Sequence, residues 1–151
     1  MDNAFEIESL VNRLSLAGLA AKPSETGDPR YVGMWLRAGF KCEYCGEELL
    51  TDLIRMMSAQ RDHLLPESQY PEYADVDANW ILACFCCNQI KRDFDPLQEL
   101  DEKARAEVTP KNIGAYRGDL VAACKAYLSP KLKERDTILS DIAAILAKSN
   151  G

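Results

Sequence analysis

Cys42-Glu-Tyr-Cys45-Gly46 and Cys84-Phe-Cys86-Cys87-Asn88-Gln-Ile-Lys91 are the two stretches that decide how this chain folds. Each contains a C-x-x-C pair. Two-residue spacing lets both sulfurs of a turn reach one ion at about 2.3 Å, and four thiolates complete a tetrahedral Zn²⁺ shell. Gly46 directly follows the first pair, where a metal-binding turn often needs φ > 0. One such pair is a common accident; two, the first with its trailing glycine, point to a shared zinc held by Cys42, Cys45, Cys84 and Cys87. Cys86 could replace a neighbour as ligand, but it is expected to point into the core. Cys124, in Val121-Ala-Ala-Cys-Lys-Ala-Tyr-Leu, is expected to be an ordinary helix core residue. Thirty-eight residues, 46–83, lie between the pairs. A bare zinc ribbon has about 15–20 there, so more than a hairpin fits between its halves.

Moving outward from the cysteines, residues 3–19 place Phe5, Ile7, Leu10, Val11, Leu14 and Leu19 at helical spacing behind Asp2 or Asn3. The stretch from Lys22 to Pro29 is a linker-like break. A short helix over 30–40 carries Trp35, Leu36 and Phe40 to the first cysteine turn. Residues 54–61 read as a strand running into Asp62-His63, and 66–78 as loop. Asn79-Trp-Ile-Leu-Ala-Cys is a short apolar segment ending in the second cysteine pair, and Asn88 to Arg92 begins a short helix. Asp95-Pro96 is a helix start, with Gln98 in the capping-box place and Leu97, Leu100, Ala104 and Val108 on one face. Thr109-Pro110 and Ser129-Pro130 repeat that signal. The last helix carries Leu132, Ile138, Leu139, Ile142 and Leu146, read as packing residues. These signals divide the chain into an N-terminal helix and linker (1–29), a central core (30–94) and a helical extension (95–151).

Composition narrows the classes. The chain has 151 residues, 47% hydrophobic and 28% charged, which excludes a disordered chain. Its longest apolar run, Trp80 to Cys87, is far short of the roughly 20 residues that span a bilayer. The acidic start Met1-Asp-Asn-Ala-Phe-Glu lacks a secretory pattern. A cytoplasmic protein with reduced thiols and no membrane partner is the expectation. Net charge is −6, whereas proteins that coat nucleic acid non-specifically are usually basic. The imbalance is uneven: residues 1–108 hold 11 Lys and Arg against 20 Asp and Glu, and 109–151 hold 7 against 4. Nucleic-acid contact would therefore be local or helped by a partner subunit. The basic tail, with Lys125, Lys131, Lys133 and Arg135, reads first as a helix surface.

The single histidine, His63, follows Asp62. A lone histidine is usually a surface or satisfied core residue. Here a zinc joining the two cysteine turns would pin Asn88 to one end of the loop that contains Asp62-His63. Cys42-x-x-Cys45-Gly46, Asp62-His63-Leu-Leu-Pro66, Asn79 and Cys84-x-x-Cys87-Asn88-x-x-Lys91 together resemble the HNH endonuclease signature of the zinc-stapled subgroup. The resemblance covers about residues 40–92. It departs from the pattern in lacking glycines over 67–78, in having Asn88 at the third signature position, and in its acidic balance.

The resemblance implies an α+β fold: a ββα-metal (His-Me finger) core with a structural four-cysteine zinc site, flanked by N- and C-terminal helices. It implies a metal-dependent endonuclease hydrolysing DNA phosphodiester bonds. Asp62 and Asn88 would give oxygen ligands to Mg²⁺ or Mn²⁺, and His63 would take a proton from the attacking water. Asn79 would hold the loop bearing His63 through backbone hydrogen bonds. The zinc would be structural, since four cysteines leave no open position. Adjacent strand residues face opposite ways, so the strand should end or bend at Asp62-His63. Arg61, Lys91 and Arg92 either pair with phosphates or form a solvated charged surface. Two other readings compete. One is a zinc-organised interaction or nucleic-acid-binding module with a vestigial nuclease centre. The other is an RNA nuclease, ranked lower because no aromatic-rich basic patch is evident.

Overall fold

The computed structural model describes residues 28–149 and, before them, only Glu6 and Ser9, both helical. The helix expected over 3–19 and most of the linker before Pro29 therefore lie outside the described residues. Helix α1 spans Pro29–Arg37, with Pro29 at its first turn and the Asp28 carboxylate accepting from Arg30 N at 2.9 Å. It buries Tyr31, Val32, Met34 and Trp35. It stops short of Phe40 because Gly39 and Phe40 take φ of 59° and 61°, turning the chain into the first cysteine hairpin. In that hairpin Gly46 has φ 79° and its N–H donates to Cys42 O at 2.8 Å, as the turn reading requires.

Residues 54–58 correct the sequence reading, which made them a strand. They belong to helix α2, Leu53–Ser58, capped by Asp52, whose side chain accepts from Arg55 N. Only Met56 is buried, so no alternating strand face exists there, and the aspartate cap decides for helix. Strand β1, Gln60–His63, begins after it and ends at His63. It pairs antiparallel with β2, Trp80–Ala83, in the register Asp62↔Ile81 and His63↔Trp80. Between them, 64–79 is loop with two 3₁₀ turns, Pro71–Tyr73 and Asp77–Asn79, over fully buried Leu64 and Leu65.

Helix α3, Phe85–Lys91, starts three residues earlier than Asn88, and left-handed Arg92 (φ 47°) stops it. Asp95-Pro96 opens only a 3₁₀ turn, Pro96–Glu99. Helix α4, Glu102–Glu107, is a separate element capped by Asp101 and buries nothing. The last helix, α5, runs Ile113–Ser149 without a break, about 55 Å. Pro130 lies inside it, so Ser129-Pro130 is not a helix start. The proline removes one ladder bond, and its ring crowds the carbonyl of Ala126 one turn earlier. Ile113, Leu120, Cys124 and Leu128 of α5 join one buried cluster with α1, both cysteine turns and strand β2. The packing reading fails beyond Leu132. Ile138, Leu139, Ile142 and Leu146 are about half or more exposed among the described residues, because the helix has run past the core.

The result is a mixed α+β architecture: a two-stranded antiparallel sheet flanked by helices, with a cysteine cluster at one end.

Candidate functional site

The four sulfurs of Cys42, Cys45, Cys84 and Cys87 lie within 4.8 Å of one another. Cys45 and Cys84 are 3.8 Å apart, close to the separation that a tetrahedral ion with bonds of about 2.3 Å imposes. The set therefore fits zinc. The Cys42 thiol is held well below its ordinary value by the thiols of Cys45, Cys84 and Cys87. Cys87 is pushed up by Cys42, Cys45 and Cys84, since a further thiolate must form beside the first. A divalent cation removes that repulsion. Cys86, expected in the core, is exposed: helix α3 turns it away from the cluster while burying Cys87. Cys124 is fully buried, as expected, and burial pushes its thiol up to about 12.

The residues inside the first C-x-x-C connect this end of the molecule to the sheet. Glu43 covers the open edge of β2: its N–H donates to Leu82 O, and its carboxylate accepts from Leu82 N, both at 2.9 Å. Arg117 of α5 holds the same carboxylate at 2.6 Å. Tyr44 reaches through the core, and its hydroxyl donates to Asp62 Oδ2 at 2.7 Å. Burial and the Asp62 carboxylate raise the Tyr44 pKa well above ordinary, so it stays a donor. Sequence reasoning missed both residues. The available signal was their position between two ligands of one ion, which fixes their backbone.

Asp62 and His63 occupy adjacent ladder positions and so project to opposite faces. On the Asp62 face, Lys91 Nζ lies 3.2 Å from Asp62 Oδ2 and donates to His63 O at 2.7 Å. Lys91 is 1% exposed, which corrects its reading as a phosphate contact. A buried ammonium needs partners, and it takes these two. Asn88, half-buried, lies one turn before Lys91 on α3.

On the other face, His63 Nε2 is 3.0 Å from Ala74 O, which also accepts from Trp80 Nε1 at 2.9 Å. A carbonyl only accepts, so Nε2 carries a proton, and in the neutral ring the lone pair is on Nδ1. Glu67 Oε2 is 4.0 Å from Nδ1. Asn79, fully buried, spans the loop: its Oδ1 accepts from Leu65 N at 2.8 Å, and its Nδ2 donates to Leu65 O and Tyr73 O at 3.2 Å. Arg61 shares the His63 face, with its guanidinium 4.5 Å over the Trp80 ring. Arg92 is exposed at the end of α3.

Comparison of the chain with curated proteins gave no match. Residues 42–94, about a third of the chain, match the model of the HNH endonuclease family, the same family that the sequence resembles.

Proposed function

We propose that the protein is a metal-dependent endonuclease hydrolysing DNA phosphodiester bonds, with His63 as general base. The HNH domain supports a nuclease-type function in general. The finer reading rests above all on His63. Its ring sits at the end of β1 with Nε2–H spent on Ala74 O, which leaves Nδ1 as the atom that accepts a proton from water. Asn79 holds both sides of the loop beside it, so the imidazole is positioned before substrate arrives.

Asp62 and Asn88 offer a carboxylate and an amide oxygen, a hard donor pair that suits Mg²⁺ or Mn²⁺ with the remaining positions left to water and phosphate. Such an ion would stabilise the charge developing on the scissile phosphate and assist the leaving oxygen; because Asp62 and His63 face opposite ways, the phosphate would have to lie at the end of β1, where the strand stops, to meet both. Tyr44 and Lys91 fix the Asp62 carboxylate in place. Arg61 and Arg92 would supply the cations for phosphate, a local footprint that suits an acidic protein.

The test is cleavage of supercoiled plasmid in Mg²⁺ or Mn²⁺ by wild type and His63→Ala. Loss of a general base lowers the rate by about 10²–10⁴-fold. Equal, metal-independent traces from both proteins contradict the reading.

A second reading has its own observation. Leu53, Ile54 and Met57 of α2 and Ile138, Leu139 and Leu146 of α5 are all at least half exposed, which suits a module that docks a protein partner. A folded wild type that cuts no DNA with either metal favours it.

A further inference from the structure

We infer that Arg30 and Trp80 are positioning residues for His63: together they clamp the Ala74–Asp75 backbone, whose carbonyl decides which imidazole nitrogen carries the proton. The inference rests on the proposed role of His63. It brings in Arg30, which lies outside the matched segment 42–94.

Three elements meet at this backbone. Ala74 O accepts from His63 Nε2 at 3.0 Å and Trp80 Nε1 at 2.9 Å, which uses both lone pairs. At the next residue, Arg30 Nη1 donates to Asp75 O at 3.0 Å and Nη2 to Asp75 Oδ1 at 2.9 Å. The same guanidinium is braced by Asp28, with Nη2 2.9 Å from Oδ2, and lies 4.6 Å over the Trp80 ring centroid. One planar fork thus ties the start of α1 to the peptide beside Ala74 and to the indole that shares its carbonyl. A lysine has no such fork.

The two residues separate positioning from stability. Arg30 is 40% exposed and Asp75 85% exposed, and exposed ion pairs contribute little to folding. Trp80 is 1% exposed. Trp80→Phe keeps most of its apolar area but removes Nε1–H, which leaves the Ala74 carbonyl one donor. With the carbonyl free to turn, the ring no longer has a fixed donor position, and its lone pair leaves the face where water would sit.

The 151-residue chain has a single histidine, so the ¹⁵N imidazole spectrum of this chain, zinc-supplemented, reports His63 alone. In alkaline buffer the wild type should show one neutral tautomer, with the proton on Nε2. Arg30→Ala and Trp80→Phe, each checked for a cooperative melt, should show mixed tautomers. In plasmid or oligonucleotide cleavage, kcat should fall about tenfold with KM within about twofold. Arg30→Lys should resemble Arg30→Ala. A wild-type proton on Nδ1, or a wild-type tautomer retained in both variants, overturns the clamp. Tautomer mixing without any cleavage, even by wild type, leaves the clamp standing and removes the nuclease reading. Cleavage with an insensitive tautomer does the reverse.

Discussion

Asn79 shows what one side chain does here. Fully buried, it makes three hydrogen bonds to the backbone on both sides of the loop that carries His63. Asn79→Ala strands those backbone groups, and each unmet buried group costs about 1–3 kcal/mol. We expect a loss of about 2–4 kcal/mol, read in urea unfolding, with an unchanged m-value. A loss under about 0.5 kcal/mol would mean that the loop does not depend on it. Asn79 was legible in the sequence only through the family resemblance, which implies a loop-holding asparagine at that place in the signature. Lys91 was not, because a Lys-Arg dipeptide after a polar helix turn reads as solvated. Its burial is set by Asp62 and the His63 carbonyl, which reach it from 29 and 28 residues away. The Ala74 carbonyl had no sequence signal at all, since any residue supplies one.

At the scale of elements, the two cysteine turns and the sheet act as one unit. Zinc binding to such a site is folding free energy, because the unfolded chain has no preformed shell. Cys42→Ser or Cys84→Ser should therefore lose the metal, measured by elemental analysis, and lose the cooperative melt. Cys86→Ser should change neither, because Cys86 is exposed. Wild-type zinc content in either of the first two variants would sink the four-cysteine assignment. Cys124 gives a separate prediction. Its folded pKa is raised by burial from 9.0 to about 12, so its contribution is intact below about pH 9 and fades as pH rises toward 12. The unfolded thiol ionises in that window and the folded one does not, a slope of up to about 1.4 kcal/mol per pH unit. Cys124→Ala should show a shallower alkaline loss of Tm than wild type; parallel curves contradict it. The elements that tertiary contacts shape were the least legible. Residues 54–58 read as strand because they lead into Asp62-His63, yet the Asp52 cap makes them helix. Ser129-Pro130 reads as a start, yet α5 already supplies the turns before it.

Across the whole molecule, the zinc pairs gather groups that lie far apart in sequence. The family signature was legible because its cysteines, Asp62-His63, Asn79 and Asn88 keep a fixed order. The α1 clamp and the overhang of α5 were not, since both depend on where the core ends. Acidity follows the same division, with the excess of acids before residue 109 and of bases after it. No helix among the described residues is long and apolar enough to cross a membrane. The most direct measurement is anomalous diffraction, at the zinc and manganese edges, from crystals soaked in Mn²⁺. The account predicts a zinc peak among the sulfurs of Cys42, Cys45, Cys84 and Cys87, and a manganese peak bound by Asp62 and Asn88 on the sheet that carries His63. A zinc-free cysteine cluster, or manganese bound only away from Asp62 and Asn88, would contradict it.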